Sequence, residues 1–299
     1  MFVTDCKTLI CDVPRPHVAR IRLNREKQMN AYNGRMAEEL QRTIAAYRDD
    51  DDLRALILAG SARAFCTGGD VSGSDPEGRR SVASRPMGHG REMRDGMQPV
   101  LTMLRSIDKP SVAMVEGYAV AGGLALALAC DFRFAGPAAR FGDTSGRFGL
   151  LPDEGGAWLF PRVMGYDRAL KMTLMHEIYD ARTAFQLGLV TELVEGDELE
   201  ARTFEFCEAL AAKAPLAVRM AKTMMQRALE STFESSLVDA QLAVMITNPS
   251  QDVREGGSAF REKRAQESAQ QRLHVHVLDR GILANLALKS GHLSRHFSS

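Results

Sequence analysis

The chain has no excess of either charge: among its 299 residues, 38 basic and 38 acidic side chains cancel. No global field draws it to nucleic acid or to an anionic membrane, although a local basic pocket for a phosphate-bearing ligand stays compatible with that balance. Cysteine is sparse. Cys6, Cys11, Cys66, Cys130 and Cys207 are scattered, with no CxxC and no metal-ligand spacing, which points to reduced thiols in a cytoplasmic setting. Long apolar runs are missing too, since the stretch 119–130 is too short to cross a bilayer. The opening MFVTDCKTLICD lacks a basic segment followed by a long apolar one, so no signal peptide is expected. Residues 117–123 do not form GxGxxG, no P-loop Lys-Ser/Thr follows them, and no serine sits in a GxSxG elbow. These absences argue against a dinucleotide fold, an NTPase and a nucleophile-elbow hydrolase. With 45% hydrophobic and 25% charged residues, the chain suits one large globular domain with an extension.

What is present centres on 109–131, KPSVAMVEGYAVAGGLALALACD. It predicts a buried strand over Ser111–Val115, a glycine-bearing turn, and an apolar helix beginning near Gly122. The first N–H groups of such a helix have no partner within it and face whatever binds at the sheet edge. The same device occurs earlier, where the β-type run at 55–58 leads into SARAFCTGGD and its Gly68 and Gly69. Two such turns can aim two N–H donors at one carbonyl oxygen; losing one donor of an oxyanion hole costs roughly 3–4 kcal/mol of transition-state stabilisation. Cys66 beside them reads as a small buried residue, because no histidine is placed by sequence to activate it.

Elsewhere, Val18–Leu23 alternates as a half-exposed strand, and 35–49 places Met36, Leu40, Ile44 and Tyr47 on one helical face. The stretch 71–90 is rich in Ser, Gly, Pro and Arg and predicts a loop, in which Arg79, Arg80 and Arg85, with Arg91 just beyond, read as solvated rather than phosphate-binding. Residues 91–106 predict one helix with Met93, Met97, Val100, Leu101 and Leu104 inward. After a strand at Phe132–Ala135, a segment 140–151 and a Pro-Asp-Glu-Gly-Gly turn, helices are predicted at 166–177, 181–187, 197–212, 215–230, 232–247 and 252–266. The tail holds His274, His276, His292 and His296; the last two have i, i+4 spacing but no acidic or cysteine partner, so no metal site is expected.

The segments FCTGGD and EGYAVAGGLALALACD resemble the two signature stretches of the crotonase, or enoyl-CoA hydratase/isomerase, superfamily. The similarity continues in order through FGDTSGRFGLLPDEGGAWLFPRVMG, ARTAFQLGLVTELV and EGGSAFREKR, covering roughly residues 18–264, and NREKQMNAYN before them resembles the family's NRPxxxNA segment. It implies an α/β fold, a spiral of ββα repeats with a C-terminal helical region that builds a trimer, often paired into a hexamer. The implied division is a core at 1–195 carrying the CoA site and active site, a helical oligomerisation region at 196–266, and an extension at 267–299. Gly69 and Gly122 match the family's oxyanion donors. Coenzyme A would be met at Asn30, Ala31, Ala64 and Phe65, and by Phe260 and Lys263 reaching a neighbour's ligand.

The chain departs from the family where the hydratases carry two glutamates that activate water, since these positions are Ala125 and Ser145. The resemblance then points to Asp153 as acid/base, with Glu154 as second choice; the competing role for Asp153 is capping the next helix. Ser145, with Thr144 and Asp143, would hold a water or bicarbonate in place of the lost glutamate. The implied activity is that of an acyl-CoA enzyme working through a stabilised thioester enolate, an enoyl-CoA isomerase or hydratase-like lyase of fatty-acid or acyl-CoA metabolism. It would need no cofactor beyond the CoA of its substrate. The alternatives are a ring-forming, ring-opening or thioester-hydrolysing member, or a scaffold that binds CoA or RNA without turnover.

Overall fold

The computed structural model describes residues 2, 5–71 and 88–264, with backbone alone at His89. The expected loop at 71–90, with Arg79, Arg80 and Arg85, falls almost wholly outside the described residues. So do the extension at 267–299 and its four histidines.

Among the described residues, ten strands form two sheets. The larger has the order β1 (Leu9–Arg15), β2 (Val18–Leu23), β3 (Ala55–Ala59), β5 (Ser111–Val115), β7 (Phe132–Ala135), β10 (Glu192–Leu193), parallel throughout except for the β1–β2 hairpin. The smaller has the order β4 (Ala64–Cys66), β6 (Tyr118–Val120), β8 (Arg140–Gly142), β9 (Ile178–Asp180), of which β9 alone runs antiparallel to its neighbour. Three successive strand pairs, β3/β4, β5/β6 and β7/β8, each give their first strand to the large sheet and their second to the small one. That repeated step is the crotonase spiral that the motifs imply.

Strand period explains the layering. In β3, Ala55, Ile57 and Ala59 pack with Phe204, Cys207 and Ala211 of the helix Leu199–Ala211, whereas Leu56 and Leu58 join the inner core with Leu40 and Ile44 of the helix Gly34–Asp49. A parallel strand covered on both faces reads as an unbroken apolar run, as ALILA does. The helix Gly122–Ala129 is buried on every side, which accounts for its lack of a polar face.

One predicted element is corrected. The helix expected at 91–106 is two, Gly88–Asp95 and Met97–Ser106, separated at Gly96. The Gly96 N–H still reaches Glu92 O at 2.8 Å, but its φ and ψ of −97° and −102° turn the chain before Met97 enters the core. The last helix, Gln251–Glu262, ends earlier than expected, with Lys263 in the left-handed region.

The helix Pro215–Ala228 buries none of its residues fully and is tied to the core by a polar junction. Lys222 Nζ donates to Asp131 Oδ2 at 2.6 Å and to Lys109 O at 2.7 Å, and the same carboxylate oxygen accepts from Ser111 N and Oγ. Asp131→Ala leaves the Lys222 ammonium largely desolvated without its counter-ion. The expected loss is about 3 kcal/mol of stability, read from urea unfolding at pH 7.

Candidate active site

Strand β4 ends at Cys66, and the next turn folds back onto the start of the helix Gly122–Ala129. Gly68 adopts φ +90°, a conformation that side chains with a Cβ rarely take; a Cβ there would lie 3.0 Å from Ala121 Cβ and 3.2 Å from Gly122 N. Ala121 itself holds φ 53° and ψ −129°, a strained pairing for a residue with a side chain and one that local packing must impose. Gly122 is the first helical residue, so its N–H has no acceptor within the helix. Strand β8 runs alongside, with Gly142 O accepting from Ala121 N at 3.0 Å. The two glycine turns therefore meet.

Two side chains close over Gly122. A Cβ on that glycine would lie 2.3 Å from Glu154 Oε1 and 2.6 Å from the Tyr32 hydroxyl, so a side chain there would have to push both groups aside. Tyr32 donates its hydroxyl to Glu154 Oε1, and both residues are buried. Burial, with the neighbouring Asp153 carboxyl adding to it, pushes the Glu154 carboxyl up to about 7, against the opposing effect of the Tyr32 donor. The Tyr32 phenol is pushed well above its ordinary value, first by burial and then by the Glu154 charge. Burial likewise holds the Cys66 thiol up at about 12.

Asp153, the first-ranked acid/base from the sequence, has an exposed side chain, and its main-chain oxygen accepts from Gln98 Nε2 at 3.1 Å. It does not cap the next helix: Gly156–Met164 has Gly155 at that position, with no side-chain bond. Glu154 is the carboxylate set against the glycine pair. The preference of order between the two turns on which side chain packs inward, and adjacent residues in a turn point in different directions.

Ser145 is buried just past β8, its N–H donating to Asp143 Oδ1 at 3.1 Å. Thr144 is buried beside it, and Asp143 is fully buried with an Oδ2 that has no hydrogen-bond partner among the described residues. Asn30, fully buried at φ 54°, works as a bracket: its Oδ1 accepts from Arg25 N at 2.9 Å, and its Nδ2 donates to Ala64 O at 2.8 Å. This draws Asn30, Ala31, Ala64 and Phe65 into one buried group. Arg25 braces the same loop, donating to Ala31 O and to Asp70 at 2.7 Å. Phe260 stands 86% exposed on the last helix, and Lys263 follows it, also exposed; the structure does not bring these two to the others. Among the described residues, no cluster of three or more His, Cys, Asp or Glu side chains could hold a metal.

Tyr32 is the residue that the motifs did not single out. Its one sequence signal is its place directly after the Asn30-Ala31 pair in NREKQMNAYN, and contact with a carboxylate 122 positions away cannot be read from that.

Comparison with known proteins matches this geometry to a family. The family described as Enoyl-CoA hydratase/isomerase matches residues 15–271. The chain is 34% identical over 250 residues to (E)-benzylidenesuccinyl-CoA hydratase of Thauera aromatica, covering 83% of this chain and 94% of that protein. It is 30% identical over 250 residues to 1,2-epoxyphenylacetyl-CoA isomerase of Escherichia coli strain K12, covering 83% and 93%. Among solved structures, an enoyl-CoA hydratase from Bacillus anthracis superposes with a TM-score of 0.81 at 30% identity, over 89% of this chain and 100% of that one. The motifs, the spiral and these matches agree: the chain belongs to the enoyl-CoA hydratase/isomerase family of enzymes.

Proposed function

We propose that the chain isomerises an enoyl-CoA by moving one proton across a thioester enolate, with Glu154 as the acid/base. The Glu154 carboxyl set against Gly122 carries this reading. In it, the N–H groups of Gly69 and Gly122 receive the thioester oxygen as negative charge develops there. Glu154, titrating around neutrality, takes a proton from one carbon and returns it to another. Asp153 sits at the outer side of the pair, where it raises the Glu154 affinity for protons. The step is a proton transfer next to an activated carbonyl and calls for no metal or redox group. The buried group of Asn30, Ala31, Ala64 and Phe65 shapes the backbone that would receive CoA, and Phe260 and Lys263 would act from a neighbouring subunit.

A second reading, hydration, is favoured by Asp143. A fully buried carboxylate oxygen with no protein partner among the described residues suits a bound water, and Ser145 beside it replaces the usual glutamate. Mass spectrometry of 2-enoyl-, 3-enoyl- and saturated CoA esters in deuterated water separates the two. Aryl esters belong in the panel because two relatives are named for benzylidenesuccinyl- and epoxyphenylacetyl-CoA. Deuterium uptake with migration of the double bond is expected; a water-sized gain would favour hydration, and free CoA would favour hydrolysis.

We also infer a homotrimer. The helix Phe233–Thr247 exposes Phe233, Leu237, Val238 and Met245 in one chain, apolar side chains that suit burial against a second copy. Light scattering is expected to give about three times the 32.9 kDa chain mass, or about six times it for paired trimers. No helix among the described residues is long and apolar enough to cross a membrane.

A further inference from the structure

We propose that Tyr32 is a positioning residue for the reaction: its hydroxyl holds Glu154 Oε1 against Gly122, so that the other carboxyl oxygen exchanges the proton with substrate. This rests on Glu154 being the acid/base. Tyr32 is well placed for it because its main chain is locked to the oxyanion turn. Its N–H donates to Gly68 O at 2.9 Å, its carbonyl accepts from Asp70 N at 2.9 Å, and its ring lies 3.7 Å from where a Cβ on Gly69 would be. One residue thus fixes the turn that supplies one oxyanion donor and the carboxyl that moves the proton. Arg25 stiffens the same loop through its ion pair with Asp70, both side chains being at least nine-tenths buried.

The titratable groups facing the Tyr32 phenol are Glu154, Asp153 and Cys66. Cys66 is held as a neutral thiol by burial, so the proton of interest lies between Tyr32 and Glu154. A phenol donating to the carboxylate favours its ionised form and works against burial and Asp153, which favour the protonated one. Tyr32 therefore sets both where the carboxyl sits and how readily it gives up its proton.

Tyr32→Phe removes the hydroxyl and keeps the ring and both main-chain bonds. NMR titration of 13C-labelled glutamate carboxyls, with Glu154 assigned by its loss in Glu154→Gln, is expected to show the Glu154 midpoint rising by about one pH unit or more. With 3-hexenoyl-CoA as probe, the acid limb of the kcat profile should move up by the same amount, so that the loss at pH 6.5 is about tenfold greater than above pH 9, where only the lost placement of the carboxyl remains. An unchanged midpoint, or a loss equal at every pH, would overturn the proposal. Wild-type protein gives a check that does not depend on the variant folding: a slowly exchanging hydroxyl proton correlated to the Tyr32 ring is expected, moving upfield in Glu154→Gln where a neutral amide oxygen becomes the acceptor, and its absence from wild type would count against the contact. Full turnover in Glu154→Gln would instead defeat the acid/base assignment, while the carboxyl titration still judges the Tyr32 contact.

Discussion

Glu154→Gln is expected to lower kcat by about 10²–10⁴-fold while leaving CoA-ester binding within a few-fold of wild type. The amide keeps the size of the carboxyl and can still accept from Tyr32, so the packing over Gly122 survives and the proton carrier is lost. Stopped-flow or coupled assays on whichever ester the panel identifies would check this, with binding measured separately by calorimetry. Undiminished turnover would return the role to Asp153, for which Asp153→Asn is the matching test. The wild-type kcat/KM should rise with pH through about 7, because the base form of Glu154 is the active one.

The same substitution has a stability signature of opposite sense. Glu154 has a folded-state value near 7 against an ordinary 4.5, so the folded protein holds this proton more tightly than the unfolded chain does. Wild-type stability contributed by this group is therefore full below about 4.5 and declines as pH rises to about 7. Glutamine does not titrate. Glu154→Gln should gain on wild type across that window, by about 3 kcal/mol at pH 8 relative to pH 4. A variant that is less active yet gains stability on wild type between pH 4 and pH 8 is what a desolvated catalytic carboxyl predicts; denaturant unfolding at the two pH values measures it.

Gly122→Ala is expected to cost about 10²–10³-fold in turnover with little change in stability. The added Cβ would fall 2.3 Å from Glu154 Oε1 and 2.6 Å from the Tyr32 hydroxyl, both of them ends of side chains that can move away. Gly122 has no left-handed backbone to lose, and alanine suits a helix. Displacing the carboxyl by about an ångström is enough for the loss in rate. If thermal unfolding fell sharply alongside activity, Gly122 would be a packing residue first and its place in the site secondary.

Local pattern alone determined a good deal of this protein. The apolar run ALILA, the alternation of Val18–Leu23 and the strand, glycine turn and buried helix at 111–129 identify the sheets and both glycine turns, because each depends on residues a few positions apart. The five motifs in order made the spiral legible, including the loss of both glutamates at Ala125 and Ser145. Other features depended on contacts between distant segments. Asp153 and Glu154 are neighbours in one turn with the same charge, and only packing against Gly122 and Tyr32 selects the inward one. Tyr32 became part of the site because its strand-like bridge to Gly69 sets it at the glycine turns, where its hydroxyl meets Glu154 from 122 residues further along the chain. Gly96 broke a helix whose apolar spacing runs on unbroken, since Met97 had to turn into the core. In each case the deciding term is burial, which raises a carboxyl's proton affinity or selects the side chain that packs inward, and burial exists only once the chain has folded.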